Sequence, residues 1–123
     1  MSAFTILSLR SVADERGRLT VLQDVLPFEI RRTFWITGAD GHTRGGHRHH
    51  VTRQALVALA GAVTIFMDDS KHRRNIVLDS PNHCLLVETD DWHTMSFGSG
   101  SVLLVMASHP YDVADYIDER YPE

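Results

Sequence analysis

Seven consecutive residues, Arg44-Gly45-Gly46-His47-Arg48-His49-His50, hold three of the chain's eight histidines. In an extended segment the side chains at i and i+2 share a face, so His47 and His49 point one way while Arg48 and His50 point the other. Two imidazoles aimed together into a cavity suit either metal binding or proton transfer near neutral pH. A third histidine, His93, follows Trp92 at the start of an apolar segment. Together His47, His49 and His93 supply three nitrogens, enough for Zn, Fe or Mn in an open site. Gln54 stands close by in sequence, but a neutral amide is a weaker ligand than a carboxylate.

The elements that must position these residues read as strands. Segments of four to eight residues rich in β-branched and aromatic side chains recur, broken by Gly, Asp, Asn and Pro. Phe4 to Leu9, Leu19 to Leu22 and Ile30 to Thr37 are the first of them, with a turn at Asp14-Glu15-Arg16-Gly17. Ala55 to Leu59 and Ala62 to Met67 form a hairpin closed at Ala60-Gly61. Asn75 to Leu78, Cys84 to Val87, Trp92 to Phe97 and Val102 to Ala107 complete the set. Only the end changes period. After Pro110, Asp112 is placed to cap a short helix whose stripe is Val113, Ile117 and Tyr121, docked on the body of the protein or on a partner subunit. About nine or ten short strands and one late helix predict an all-β sandwich or barrel of jelly-roll type.

Bulk properties narrow the function classes. The 123 residues suffice for a single domain, 1–123, with one core. A net charge of −4 gives no electrostatic case for nucleic acid or for an anionic membrane. No apolar run approaches the ~20 residues that span a bilayer, and the N-terminus lacks the pattern of a signal peptide. The single cysteine, Cys84, reads as a small buried residue and fits a reducing cytoplasm.

Two resemblances sharpen this reading. Gly41, His47, His49, Gln54 and Gly61 fall at the spacing of the first cupin motif, G-x5-H-x-H-x4-E-x6-G, with Gln54 in the glutamate position. Thr89 to His93 resembles its second half. A closer likeness covers nearly the whole chain: Asp14-x-Arg16-Gly17-x-Leu19, Pro27-Phe28-x-Ile30-x-Arg32, Arg44-Gly45-x-His47-x-His49, Leu78-Asp79-Ser80-Pro81, Trp92-His93-x-Met95, and the tail Tyr111-Asp112-x-x-Asp115-Tyr116-Ile117. These are similar to the nucleotide-sugar 3,4-ketoisomerases, WxcM-like cupins that act on dTDP-4-keto-6-deoxyglucose.

The resemblance implies a cupin-type jelly-roll barrel, a homodimer, and a metal-free, cofactor-free isomerisation through an enediol. Taking a proton alpha to a carbonyl needs a base near the operating pH and a donor for the developing oxyanion. His47 and His49 are the catalytic candidates, as base and proton carrier in either order. Arg44 is a partner for diphosphate or enediolate, because its fork binds oxygens bidentately. Gly45 and Gly46 allow a bulge that brings it to the histidines' side. Arg16, Arg32, Trp35, Gln54, Trp92 and His93 are the further substrate-binding candidates. The chain departs from the family at Phe34 and Trp35, where tyrosines are usual, and at Arg48 and His50 around the second histidine.

Overall fold

The computed structural model describes residues 3–123. Alternation of apolar and polar residues builds two five-stranded sheets that face one another. One has the order β1 (Ile6–Ser8), β9 (His83–Val87), β6 (Gln54–Ala60), β11 (Val102–Ala107), β4 (Arg32–Ile36). The other runs β12 (Tyr116–Ile117), β5 (Thr43–His49), β10 (Trp92–Phe97), β7 (Val63–Asp68), β8 (Arg73–Leu78). All their pairings are antiparallel and the non-consecutive neighbours are those of a jelly roll. The two sheets are not closed into one: β1 and β4 are the edges of the first, β12 and β8 those of the second.

One face of each sheet contributes to a shared core. Leu56, Leu85, Leu103 and Val105 from the first sheet pack against Val63, Ile65, Met67, Ile76, Met95 and Phe97 from the second. Residues of the opposite parity on the first sheet form a separate apolar layer outside it: Ala55, Val57, Cys84, Leu86 and Met106, flanked by Leu22, Leu26 and Phe28. Cys84 is buried there, and burial pushes its thiol up to about 11, so it is the inert small residue expected.

The inner surface changes character along its length. Towards one end it is wholly apolar, with Phe34, Ile36, Ala58, Leu103 and Phe97. Towards the other, the row Arg32–Ala107–Gln54–Val87 crosses the first sheet, and His93 with His47 crosses the second. Polar groups thus collect at one end of the interior, over a packed apolar floor.

Two differences from the sequence expectation stand out. Twelve strands form among the described residues: Arg10–Asp14 (β2) pairs with Gly17–Val21 (β3) as a separate hairpin, the histidine segment is itself a strand, and Tyr116–Ile117 adds a short one. The C-terminal helix is a single 3-10 turn, Val113–Asp115. Asp112 does cap it, accepting from the Ala114 N–H at 3.0 Å. The chain then straightens and Tyr116–Ile117 pairs with His49 and Arg48, so Val113, Ile117 and Tyr121 form no helical stripe.

Candidate active site

The site begins with a bulge. His47 pairs with His93, but the next partner of β10, Thr94, pairs with Gly45, leaving Gly46 as the extra residue. Gly45 and Gly46 both hold positive φ, +86° and +85°, a region that side chains rarely adopt. At Gly45 a Cβ would also stand 3.0 Å from the His93 carbonyl oxygen. The shift of one residue places Arg44 opposite Met95, on the inner face with the histidines, as the glycine pair predicts.

Three imidazoles meet above the apolar floor. Ring centroids lie 5.0 Å apart for His47 and His49, 5.2 Å for His47 and His93, and 6.2 Å for His49 and His93. His93 is 1% exposed, and its Nδ1 lies 3.1 Å from the Asp91 carbonyl oxygen. A carbonyl only accepts, so Nδ1 carries the proton and Nε2 presents a lone pair. That Nε2, and both ring nitrogens of His49 (2% exposed), are buried without a hydrogen-bond partner among the described residues. Buried nitrogens are seldom left unpaired, so three orphaned atoms in one cluster of rings mark a place where a polar ligand docks.

Their electrostatics favour neutral rings. Burial and the neighbouring His47 push His49 down to about 4 from an ordinary 6.5, and burial takes His93 to about 3. Burial lowers His47 as well, but Asp118, the Gly45 carbonyl and Asp115 pull it back up. At neutral pH all three are free bases. His47, half-buried and electrostatically supported, keeps the most basic character.

The wall facing them comes from the C-terminal segment. The Tyr116 ring stands 4.5 Å from His47 and 4.9 Å from His49, with Tyr111 5.8 Å behind it. Asp115 pins this segment: its carboxylate accepts from the Val51 N–H at 2.8 Å and from the Thr52 hydroxyl, and its carbonyl accepts from the His50 N–H at 2.9 Å. Burial alone would raise the Asp115 carboxyl; the bonds from Thr52 and Val51 hold it below the usual range. Across the opening, the Arg32 guanidinium lies over Phe34 at 5.3 Å and Tyr111 at 5.6 Å, with its Nε buried and unpartnered.

The structure thus gathers His47, His49, His93, Arg32 and Gln54 at one end of the interior and puts Arg44 on the same face. It separates the others. Trp92 and His93 are consecutive in a strand, so they face opposite ways. Trp92 lies on the outer face of its sheet, buried under the C-terminal segment, where its Nε1 donates to the Asp118 carbonyl at 3.0 Å and the Arg120 guanidinium covers its ring at 4.8 Å. Trp35 alternates with Arg32, Phe34 and Ile36, and is 66% exposed on the opposite face of β4. Arg16 sits at the tip of the β2–β3 hairpin, its guanidinium 2.6 Å from Asp14. Tyr116 escaped the sequence reading because its neighbours were assigned to a helix. The rings of the three histidines meet at interplanar angles of 78°, 73° and 36°, and among the described residues no set of three His, Cys, Asp or Glu side chains is arranged to hold a metal ion.

An open jelly roll with a histidine cluster at one end of its interior is a cupin-type site. The family model WxcM-like, C-terminal (FdtA) matches residues 2–122, and the chain belongs to that family. It is 36% identical over 116 residues to the TDP-4-oxo-6-deoxy-alpha-D-glucose-3,4-oxoisomerase of Aneurinibacillus thermoaerophilus, covering 91% of this chain and 84% of the relative. Among solved structures, the sugar 3,4-ketoisomerase QdtA of Thermoanaerobacterium thermosaccharolyticum, in complex with TDP, superposes with a TM-score of 0.90 at 35% identity over 94% of this chain and 88% of that one. The TDP-quinovose 3,4-ketoisomerase WlaRB of Campylobacter jejuni gives 0.90 at 36% identity, covering 97% of this chain and 95% of its own.

Proposed function

We propose that this chain is a nucleotide-sugar 3,4-ketoisomerase that converts dTDP-4-keto-6-deoxyglucose to a dTDP-3-keto-6-deoxyhexose through an enediol. The observation that carries the reading is the cluster of buried, neutral imidazoles with unpartnered nitrogens at the open end of the interior. Its relatives are named for this activity. His47, the most basic of the three, takes the C3 proton and returns it at C4. His49 beside it hydrogen-bonds the sugar at the reacting carbons and stands by the imidazolium that His47 becomes. His93 accepts a sugar hydroxyl on Nε2, and Gln54 lines the same end. Arg32, with its unpartnered Nε, and Arg44 bind the anionic diphosphate.

The assembly we infer is a homodimer. The β2–β3 hairpin exposes Val12 (55%) and Leu19 (63%), and the layer outside the first sheet continues to Trp35, so a second copy is the natural cover. Among the described residues no helix is long and apolar enough to cross a membrane. With a single buried thiol, we assign the enzyme to the cytoplasm. A 3-ketosugar is a substrate for transamination, which is the class of reaction placed next.

The test is incubation with dTDP-4-keto-6-deoxyglucose in D2O with EDTA, followed by proton NMR. A 3-keto sugar is expected, with deuterium at C4 to the extent that the His47 imidazolium exchanges with solvent before it returns the proton. Turnover that appears only after a divalent metal is added, or none with TDP binding intact, overturns the reading.

A further inference from the structure

Moving a carbonyl from C4 to C3 displaces two protons, one between carbons and one between oxygens. The histidine pair accounts for the first. We propose that Tyr116 is a further catalytic residue, the carrier of the proton between the two sugar oxygens; this rests on the ketoisomerase reading above.

Four observations place it there. Its ring contacts both His47 and His49, at 4.5 and 4.9 Å, so a sugar ring docked on the pair lies within reach of the phenol. Its pairing with His49 across β12 and β5 sends the side chain to the inner face. Its hydroxyl makes no hydrogen bond within the described residues, whereas Tyr121, five positions on, spends its own on the Asp90 carbonyl at 2.6 Å. The segment is held on both sides of the tyrosine, by Asp115 on Val51 and Thr52 and by the Asp118 carbonyl on Trp92. A pre-placed phenol is both donor and acceptor, which is what a group serving two adjacent oxygens requires. Phe34, on the inner face of β4, brings no hydroxyl that competes for the role.

The step balances. His47 takes the proton from C3, the released pair forms the C3–C4 double bond, and the C4 carbonyl oxygen takes the Tyr116 proton. The result is an enediol, an imidazolium and a phenolate, the last two adjacent and mutually stabilising. The phenolate then takes the proton from O3, whose electrons form the C3 carbonyl, and the C3–C4 pair takes the imidazolium proton at C4. Both residues end as they began.

Tyr116→Phe keeps the ring against the histidines and removes only the hydroxyl. Turnover of dTDP-4-keto-6-deoxyglucose, TDP affinity by titration calorimetry and thermal midpoint are measured on wild type and variant. The expected result is a kcat lower by about 100-fold or more, with TDP affinity within threefold and the midpoint unchanged. A variant that turns over within threefold of wild type overturns the proposal. So does one that loses activity only in step with TDP affinity or with the fold. Wild-type protein with no activity on this sugar fails differently: it removes the proposed function, and this inference with it.

Discussion

Gly45→Ala and Gly46→Ala form a matched pair that tests the bulge. Both glycines sit near φ +85°, so an alanine at either position meets the same backbone strain, about 1–2 kcal/mol. Their surroundings differ. A Cβ on Gly46 finds only the Trp92 ring at 3.9 Å, an ordinary contact. On Gly45 it finds the His93 carbonyl oxygen at 3.0 Å and Thr94 Cα at 3.3 Å, backbone atoms of a central strand, with Met95 Cε at 3.2 Å. A flexible methionine tip gives way; a paired backbone does not. Overpacking of this kind costs about 1–3 kcal/mol more. Urea unfolding should therefore place Gly46→Ala about 1–2 kcal/mol below wild type and Gly45→Ala about 2–5 kcal/mol below, with similar m-values. Gly45→Ala should also lower kcat, because the atom it displaces belongs to His93. Equal destabilisation of the two variants would refute the reasoning, since it would mean that the approach of β5 to β10 has slack.

Four more outcomes follow from the site. His47→Asn should reduce turnover by about 100-fold or more while TDP binding, read by calorimetry, stays within a few-fold. Stability should fall as pH drops below about 6.5: His49 and His93, at about 4 and about 3 when folded, bind protons mainly when unfolded, so folding is favoured above their ordinary 6.5 and loses that advantage on acidification. Asp91, raised to about 6 by burial, works the other way. Two histidines against one carboxyl leave a net loss of about 1.4 kcal/mol per pH unit between 6 and 5, and Asp91→Asn should steepen it in denaturant titrations at each pH. Trp35→Ala should alter the sedimentation coefficient and leave TDP affinity unchanged. Arg32→Ala should weaken TDP binding by about tenfold or more in the same calorimetric assay, with little change in thermal midpoint.

Much of this was legible in the chain, and for physical reasons. The hairpin at Ala60-Gly61 was read from alternating apolar runs flanking a glycine, and Gly61 has φ +64° there. The bulge followed from two adjacent glycines before a histidine pair. What failed was parity, applied to His47 and His49 but not carried to the tryptophans. In a strand Trp92 cannot share a face with His93, nor Trp35 with Arg32 and Phe34. The C-terminal stripe failed for another reason: spacing of four fits a helix, but the edge of β5 offers Tyr116 and Ile117 backbone partners that a helix would forgo. Where Arg16 sits, on a hairpin facing away from the shared core, was not visible because strand pairing between β2 and β3 depends on contacts outside any local pattern.

Every residue of the shared apolar core lies at or before Phe97, Leu103 and Val105, whereas Tyr116 and its anchor Asp115 come after it. A chain cut after Ser108 keeps every residue of both packed layers but loses the ring that lies against His47 and His49. The packed interior and the wall of the histidine site are therefore separated in the order of synthesis. In a nascent chain every residue of the interior precedes the stretch from Tyr111 to Ile117, which lays its short strand along β5 last.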